Sequence, residues 1–428
     1  MRFIHTADWH LGNQLHDIDR REEARTFFHW LKNQIIEKNV NTLIVAGDIF
    51  DTANPPVEAR RLYYTFLASL VDTCCKNVII TGGNHDSALL LDSAKDLLEV
   101  LHIRVIGSIN GLSPEDMCIE LLDEDGSANG ICMALPFVRE LELRNLLSEK
   151  ISDGDLYALA YKKLYDTVYE AAEKMRKGRP LPIIATGHLY AADLEGRLSG
   201  AAGSVKSDDG VKVLDVLGTL GNVPPSVFPP ADYIALGHIH YTTMVAKNPA
   251  VRYSGSPFVM GFDEADIPHY VLFGQVEASS QGKETSAEKA LSVEKLETPQ
   301  PFVYRRISGS LEEIKNQLMR FPQADKPVFL EVCYKREVGI NAQNYLEDAV
   351  HALPANASVV SWKIMDTEKM FSGGGAFQYD TVEIKNLDDR EIFTRLILTK
   401  SGLDADSEEG KAAVEKFLPL FMKLAGEV

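Results

Sequence analysis

Short apolar runs and amphipathic stretches alternate through the first 240 residues. Five runs, Phe3–Ala7, Thr42–Ala46, Val78–Thr81, Pro182–Thr186 and Tyr233–Leu236, have the length and β-branched content of buried strands. Between the first three, Ala24, Phe27, Phe28, Leu31 and Ile35 recur at helical spacing. Ala59, Leu62, Tyr63, Phe66, Leu67 and Leu70 do so again behind the Pro55-Pro56 start signal. Strands alternating with helices predict α/β layering. Leu156 to Lys177 predicts a further helix, whose end carries Lys174, Arg176, Lys177 and Arg179 as a solvated face. Strands follow at Val271–Val276 and Leu291–Leu296, and the polar stretch Glu277–Ala290 between them reads as a mobile hairpin tip.

From about Thr298 the order is strand (Phe302–Ile307), helix (Leu311–Phe321), strand (Val328–Tyr334), helix (Asn344–Leu353), strand (Val359–Ile364), a small second α/β unit. Gly373-Gly374-Gly375 reads as a flexible joint before two final helices. One carries the stripe Ile392, Phe393, Leu396 and Ile397; the other carries Val414, Phe417, Leu418, Phe421 and Leu424 behind a capping box at Asp406-x-x-Glu409, with a kink expected at Pro419. Physics alone leaves two uses for these stripes open, packing on the chain's own second unit or gripping a partner.

A chain of 428 residues suggests two or three domains. With 45% hydrophobic and 25% charged residues, a mainly disordered, collagen-like or coiled-coil protein is excluded. Neither a membrane-length apolar stretch nor a signal-type N-terminus is present, so a cytoplasmic protein is expected. No repeat points to a solenoid. Cys74, Cys75, Cys118, Cys132 and Cys333 form no C-x-x-C pair, so they read as small buried apolar side chains. A net charge of −18 speaks against coating nucleic acid through bulk charge. Bound divalent ions or a cationic partner chain would soften that objection.

The chemistry lies in how the five runs end: Ala7-Asp8-Trp9-His10, Gly47-Asp48, Gly82-Gly83-Asn84-His85-Asp86, Gly187-His188 and Gly237-His238-Ile239-His240. Ligands of α/β sheets gather beyond the carboxyl ends of strands, so these ends are expected to meet at a single edge of the sheet. The donors are Asp8, His10, Asp48, Asn84, His188, His238 and His240. They are too many for one tetrahedral zinc and suit two octahedral ions about 3.5–4 Å apart that share one carboxylate. Asp48, on the central strand, is the natural bridge. Oxygen and imidazole donors without thiolate favour Mn²⁺, with Mg²⁺, Fe²⁺ and Co²⁺ as competitors. Any one such residue is most often structural, but five at corresponding strand ends would need five separate structural reasons. His5, His16, His29, His102, His269 and His351 fit no such pattern and read as packing or surface residues, His16 lying nearest the first loop.

Asp8-x-His10, Gly47-Asp48, Gly83-Asn84-His85-Asp86, His188 and Gly237-His238-x-His240 together resemble the calcineurin-like metallophosphoesterase superfamily. More narrowly, His5–Gly12, Gly47–Thr52, Gly82–Ser87 and Tyr253–Pro257 are similar to the bacterial SbcD nuclease subunits. The likeness covers roughly the whole chain in domain order and rests on layout past Thr298. It implies a layered β-sandwich flanked by helices, with a small α/β capping domain and C-terminal helices, divided at 1–297, 298–375 and 376–428. It also implies a mechanism in which two metals activate a bridging water for in-line attack on phosphorus. His85 would protonate the departing sugar oxygen, with Asp86 holding its tautomer; an eighth ligand is the other role open to His85.

Archaeal and eukaryotic relatives usually carry a histidine where Asp51 stands, so a part for Asp51 in engaging substrate does not follow from the resemblance; Ser204–Asp209 matches the family only loosely, so substrate contacts in 190–230 stay unassigned. The implied partners are an SbcC-like ABC/SMC-type ATPase with a long coiled coil, gripped by the C-terminal helices, and double-stranded DNA ends and hairpins. The implied assembly is a homodimer of nuclease subunits within a heterotetramer, nucleoid-associated in the cytoplasm and without a membrane. Arg20, Arg21, Arg25, Arg60 and Arg61 are expected to line the DNA entrance. The competing functions are a small-molecule phosphoesterase on the same metals, such as a nucleotidase or cyclic-nucleotide hydrolase, and a non-catalytic scaffold. The extra C-terminal residues tell against the former, and the complete donor set against the latter.

Overall fold

β-branched runs start each layer of the core. The first four, β1 (Arg2–Thr6), β2 (Thr42–Ala46), β3 (Asn77–Thr81) and β4 (Ile103–Ile106), are parallel neighbours in chain order. A second sheet is built from β5 (Cys118–Leu122), β6 (Ala128–Met133), β7 (Ile183–His188), β8 (Tyr233–Gly237), β9 (Thr243–Val245) and β10 (Asn248–Tyr253) in the order β5-β6-β7-β8-β10-β9. The hairpin β11 (Tyr270–Val276) and β12 (Leu291–Glu297) then returns to the first sheet, with β11 antiparallel to β1. These observations come from a computed structural model that describes residues 1–16, 18–147, 153–191, 223–276, 291–335, 340–365, 411–412 and 414–418. The chain divides into two units, Met1–Met365 and Asp366–Val428.

Side-chain alternation along the strands makes the layers. In β1, Ile4 joins an outer core with Phe28, Leu31, Leu43 and Phe66, whereas Phe3 joins an inner one with Ile44, Ile184, Tyr233 and Ala235. The outer core is closed by α1 (Arg21–Glu37) and α2 (Val57–Leu70), whose Phe28 and Phe66 rings stack at 4.4 Å, with Trp9 edge-on to both. Two short helices, α3 (Ala88–Asp92) and α4 (Lys95–Glu99), lead to β4. Behind the second sheet, α5 (Glu140–Leu146) and α6 (Asp153–Arg176) bury Leu143, Tyr165, Val168 and Ala172 against Leu121, Ile131 and Ile183. The result is two sheets face to face between helical layers, the expected sandwich.

The second α/β pattern forms a parallel sheet of its own: β13 (Val303–Gly309), β14 (Val328–Lys335) and β15 (Ala357–Met365), in that order. Ser310 and Glu313 make a capping box at the start of α7 (Leu311–Met319), and Asn341 caps α8 (Ala342–His351). Ile314, Leu318 and Leu346 from these helices cover one face. On the other, Tyr304 with Phe302 and Phe329 seats on Leu15, Ile18, Val259 and Phe262 of the larger layers. The five cysteines are free thiols, Cys74 half-buried and the others buried. Among the described residues no helix is long and apolar enough to cross a membrane. In the second unit, 411–412 and 414–418 are helical and Phe417 is exposed. The 277–290 hairpin tip, the Gly373–Gly375 joint, the Ile392 stripe, the Asp406 capping box and Pro419 lie outside the described residues.

His5 fills the inner core, with Nδ1 3.0 Å from the Tyr233 hydroxyl and Nε2 3.2 Å from the Leu236 carbonyl oxygen. Burial lowers it to about 3. The unfolded chain protonates this ring near pH 6.5, so it takes up the proton first and stability falls as pH drops from 6.5 towards 3. His5→Gln should therefore lose less stability than the wild type on acidification, by about 2 kcal/mol at pH 5. Denaturant unfolding at pH 7.5 and 5 checks this; parallel losses would clear His5 of the effect.

Candidate metal centre

The five ends with metal-competent side chains do meet, but at the junction of two sheets rather than along one edge. β1, β2 and β3 deliver Asp8, His10, Asp48 and Asn84; β7 and β8 deliver His188, His238 and His240. A strand's apolar pattern carries no record of the sheet it joins, which is why the sequence points to one edge. The two sheets touch where side chains are absent. A Cβ at Gly237 would lie 1.9 Å from the Ala46 carbonyl oxygen, and one at Gly47 would lie 2.2 Å from His188 Nδ1. Asp8, His10, Asp48 and His238 have φ of 53°, 44°, 49° and 99°, left-handed backbone that costs these residue types energy and that surrounding contacts must enforce. Backbone hydrogen bonds do so, with Asp8 N–H donating to Gly47 O and His10 N–H to Asp48 O, both at 3.0 Å.

The donors form two sets around Asp48, and a third group of metal-competent side chains, His10 with Asp51 and His85, adjoins them. Asp8, His10 and His240 offer ligand atoms within 4.8 Å of one another, and so do Asp48, His188 and His238. Asp48 Oδ2 lies 3.2 Å from His188 Nε2 and 3.6 Å from His10 Nε2, so its carboxylate faces both sets. Asn84 Oδ1 is 3.0 Å from His188 Nε2 and 3.0 Å from His238 Nδ1. Buried His10 Nε2 has no hydrogen-bond partner. A partnerless buried ring nitrogen, two buried carboxylates, an amide oxygen and further imidazoles with no thiolate are what hard or borderline divalent ions require.

Without such ions the charges fall to protons. Burial raises Asp8 to about 7, helped by Asp48 and opposed by His188. For His188, burial works downward but the charge and hydrogen bond of Asp48 outweigh it and hold the ring at about 9. Burial works upward on Asp48, and His188 and His10 together outweigh it and hold the carboxyl far below its usual range. Burial, with the charge of a neighbouring ring, lowers His238 to about 4 and His240 to about 3. The two carboxylates are thus pushed apart from one another, and so are the rings, a pattern frequent at functional sites.

A calcineurin-like phosphoesterase family model matches residues 1–242. The SbcD component of the SbcCD nuclease from Escherichia coli K12 is 31% identical over 436 residues, spanning 100% of this chain and 99% of that protein. The chain belongs to the SbcD group of calcineurin-like phosphoesterases. Its counterpart in Bacillus subtilis is 26% identical over 100% of this chain and 98% of its own length; that in Rhodobacter capsulatus is 36% identical over 63% and 65%. The centre of this phosphoesterase is accordingly one for divalent metal ions.

The structure changes the expected role of Asp86 and of the first-loop arginines and gives Asp51 one. Asp86 does not hold the tautomer of His85. Its buried carboxylate accepts from the backbone N–H groups of Gly83, Ile49 and Phe50 at 2.9–3.0 Å, tying the β2 and β3 loops together. His85 instead places Nδ1 2.8 Å from the Asp51 carbonyl oxygen, while its own N–H donates to Asp48 Oδ1. Asp51, to which the sequence assigns no role, has Oδ1 3.2 Å from His10 Nδ1 and accepts from Asn13 Nδ2 at 3.1 Å, which orients a metal-competent ring. Arg20 does not present its charge at a DNA entrance: it pairs with Glu23 at 2.5 Å and donates to Asn13 and to the Val259 carbonyl. Arg21, Arg25 and Arg61 are exposed and paired with Asp19, Glu22 and Glu58. His16 approaches Glu331 of the small sheet at 3.9 Å.

Metal uptake needs a neutral His188, and the metal-free ring is protonated at pH 7. Binding should therefore release about one proton per chain or more at pH 7. Titration of Mn²⁺ by calorimetry in two buffers of different ionisation enthalpy measures this; identical heats would contradict it.

Proposed function

We propose that the chain is the metal-dependent nuclease component of a complex that cuts double-stranded DNA ends and hairpins. Asp8, His10, Asp48, Asn84, His188, His238 and His240 hold two divalent ions, Mn²⁺ first among them. The observation that carries the reading is Asp48, which faces two donor sets at once with His85 beside it. The ions, when bound, supply a hydroxide equivalent at neutral pH and offset the charge that builds on phosphoryl oxygens. What the chain adds is orientation. Asp51 O accepts from His85 Nδ1–H, which leaves His85 Nε2 as the atom that carries a proton to the departing sugar oxygen. The His85 and His10 rings meet edge to face at 4.8 Å, so the acid stands next to the ligands without using its own nitrogens on them. Asp86 acts through backbone, holding the two loops on which Asp48 and His85 ride.

The rest of the assembly extends the same reading, supported by the relatives' name, which makes each the D subunit of an SbcCD nuclease. Residues 1–297 form the nuclease domain, 298–375 a capping domain that selects DNA, and 376–428 the segment that grips an SbcC-like ABC/SMC-type ATPase with a long coiled coil. The complex is a heterotetramer built on a homodimer of nuclease chains, working in the cytoplasm on the nucleoid. Leu89, Leu97 and Val100 support the homodimer, since they expose 87%, 69% and 77% of their surface within twelve residues. A small-molecule phosphoesterase is disfavoured because the full-length relatives are nuclease subunits.

Metal analysis and hairpin-DNA cleavage of wild type, Asp48→Ala and His85→Ala, each with the ATPase, test the site. Asp48→Ala should lose metal and activity together; His85→Ala should keep its metal and cut at least about 100-fold more slowly. Cutting that survives Asp48→Ala, or hydrolysis of a simple phosphodiester with no DNA cleavage in any combination, would overturn the proposal. For the homodimer, Leu89→Glu with Leu97→Glu should sediment as a monomer where the wild type sediments as a dimer.

A further inference from the structure

A continuous run of hydrogen bonds leads from His10 to the small sheet. His10 Nδ1 lies 3.2 Å from Asp51 Oδ1, and Asn13 Nδ2 donates to the same oxygen at 3.1 Å. Asn13 Oδ1 accepts from Arg20 Nη1 at 2.8 Å, and Arg20 Nε donates to Glu23 Oε2 at 2.5 Å. Glu23 Oε1 then accepts from the hydroxyl of Tyr304 at 3.0 Å. Tyr304 stands on β13, 281 residues away in sequence from Glu23.

Each link admits one polarity. Arginine can only donate, so the Asn13 amide must offer its oxygen to Arg20 and its NH₂ to Asp51. Asp51 as a carboxylate can only accept, so His10 carries its proton on Nδ1. That leaves Nε2, the buried nitrogen without a partner, with its lone pair turned towards the Asp48 side of the centre. At the far end Glu23 is 1% exposed, and its buried charge is balanced by Arg20 and the Tyr304 hydroxyl. Arg20 is further held by the Val259 carbonyl and by the ring faces of Phe258 and Tyr304, 5.8 and 6.0 Å from its guanidinium carbon. A cavity of about 420 Å³ runs along one side, lined by Asn13, Arg20 and Glu23, so on that side the network has room to rearrange.

We propose that Tyr304 is a positioning residue for the metal centre: through Glu23, Arg20, Asn13 and Asp51 it ties the seat of the small sheet to the orientation and tautomer of His10. Loss of the hydrogen bond from the Tyr304 hydroxyl to Glu23 would loosen the ion that His10 holds and leave the other set unaltered, with the apolar seat itself intact. The inference rests on His10 being a metal ligand.

The test uses the full chain and Mn²⁺ alone, with free Mn²⁺ followed by electron paramagnetic resonance at pH 7.5 and thermal unfolding recorded without metal. Tyr304→Phe keeps the ring against Phe262 and Phe329 and removes the hydroxyl. It should weaken one of two Mn²⁺ sites about threefold to tenfold, less than the ~10–100-fold expected when a direct orienting group such as Asp51 is removed. Asn13→Ala should weaken the same site, and the double variant should lose no more than the worse single variant. Phe329→Leu disturbs the same apolar seat outside the hydrogen-bond run and should leave both Mn²⁺ affinities unchanged even where it lowers the melting temperature. Wild-type affinities in Tyr304→Phe, additive losses in the double variant, or an equal loss in Phe329→Leu would each overturn the proposal. A wild type that takes up no Mn²⁺ would instead overturn the metal reading on which it rests.

Discussion

Two carboxylates, Asp8 and Asp48, are driven out of water and towards each other, and their charge has to be met inside the protein. Both are essentially inaccessible, and among the described residues the ion partners of Asp48 are histidines. Imidazole is a poor permanent counter-charge because neutralising it takes only a proton's departure. Protons held at His188 and Asp8 fill the gap, and divalent ions do so better by using the neutral rings as ligands rather than as cations. Much around the centre serves this crowding: the contact of the two sheets, the glycines where they touch, and the loops laced by Asp86.

The same crowding bears on how an acidic chain can act on DNA. A net charge of −18 opposes approach of a polyanion, and several basic side chains near the first loop are paired with neighbouring carboxylates, Arg20 in a buried pair and Arg21, Arg25 and Arg61 in exposed ones. Attraction must then be local and borrowed, from ions in the centre and from a partner chain.

Much of the centre was legible in the sequence because backbone geometry and chemistry coincide there. Each of the five runs ends in small residues next to donors, and a strand end is where an α/β protein presents ligands. The structure brings all seven of those residues together. What could not be read concerns partners distant in sequence. β4, β5, β6, β9 and β10 are three to six residues long and several mix buried with exposed positions, so their local pattern is weak. The roles of Asp86 and Asp51 depend on which backbone groups fold over them. Arg20 has the look of a free cation in the sequence because Val259, 239 residues away, and Tyr304 meet it only in the folded chain.

The left-handed backbone at Asp8, His10, Asp48 and His238 has a consequence for the protein's history and for engineering. Glycine would relieve the backbone cost at each of these positions, but it would also remove a metal-competent side chain, and at Asp8 and Asp48 the carboxylates that accept from the backbone N–H groups of His238 and His85. Backbone ease and the donor set are therefore opposed at these positions, and a screen that ranks variants by melting point alone is blind to the loss of a donor. Only a screen that also scores turnover keeps these residues in place.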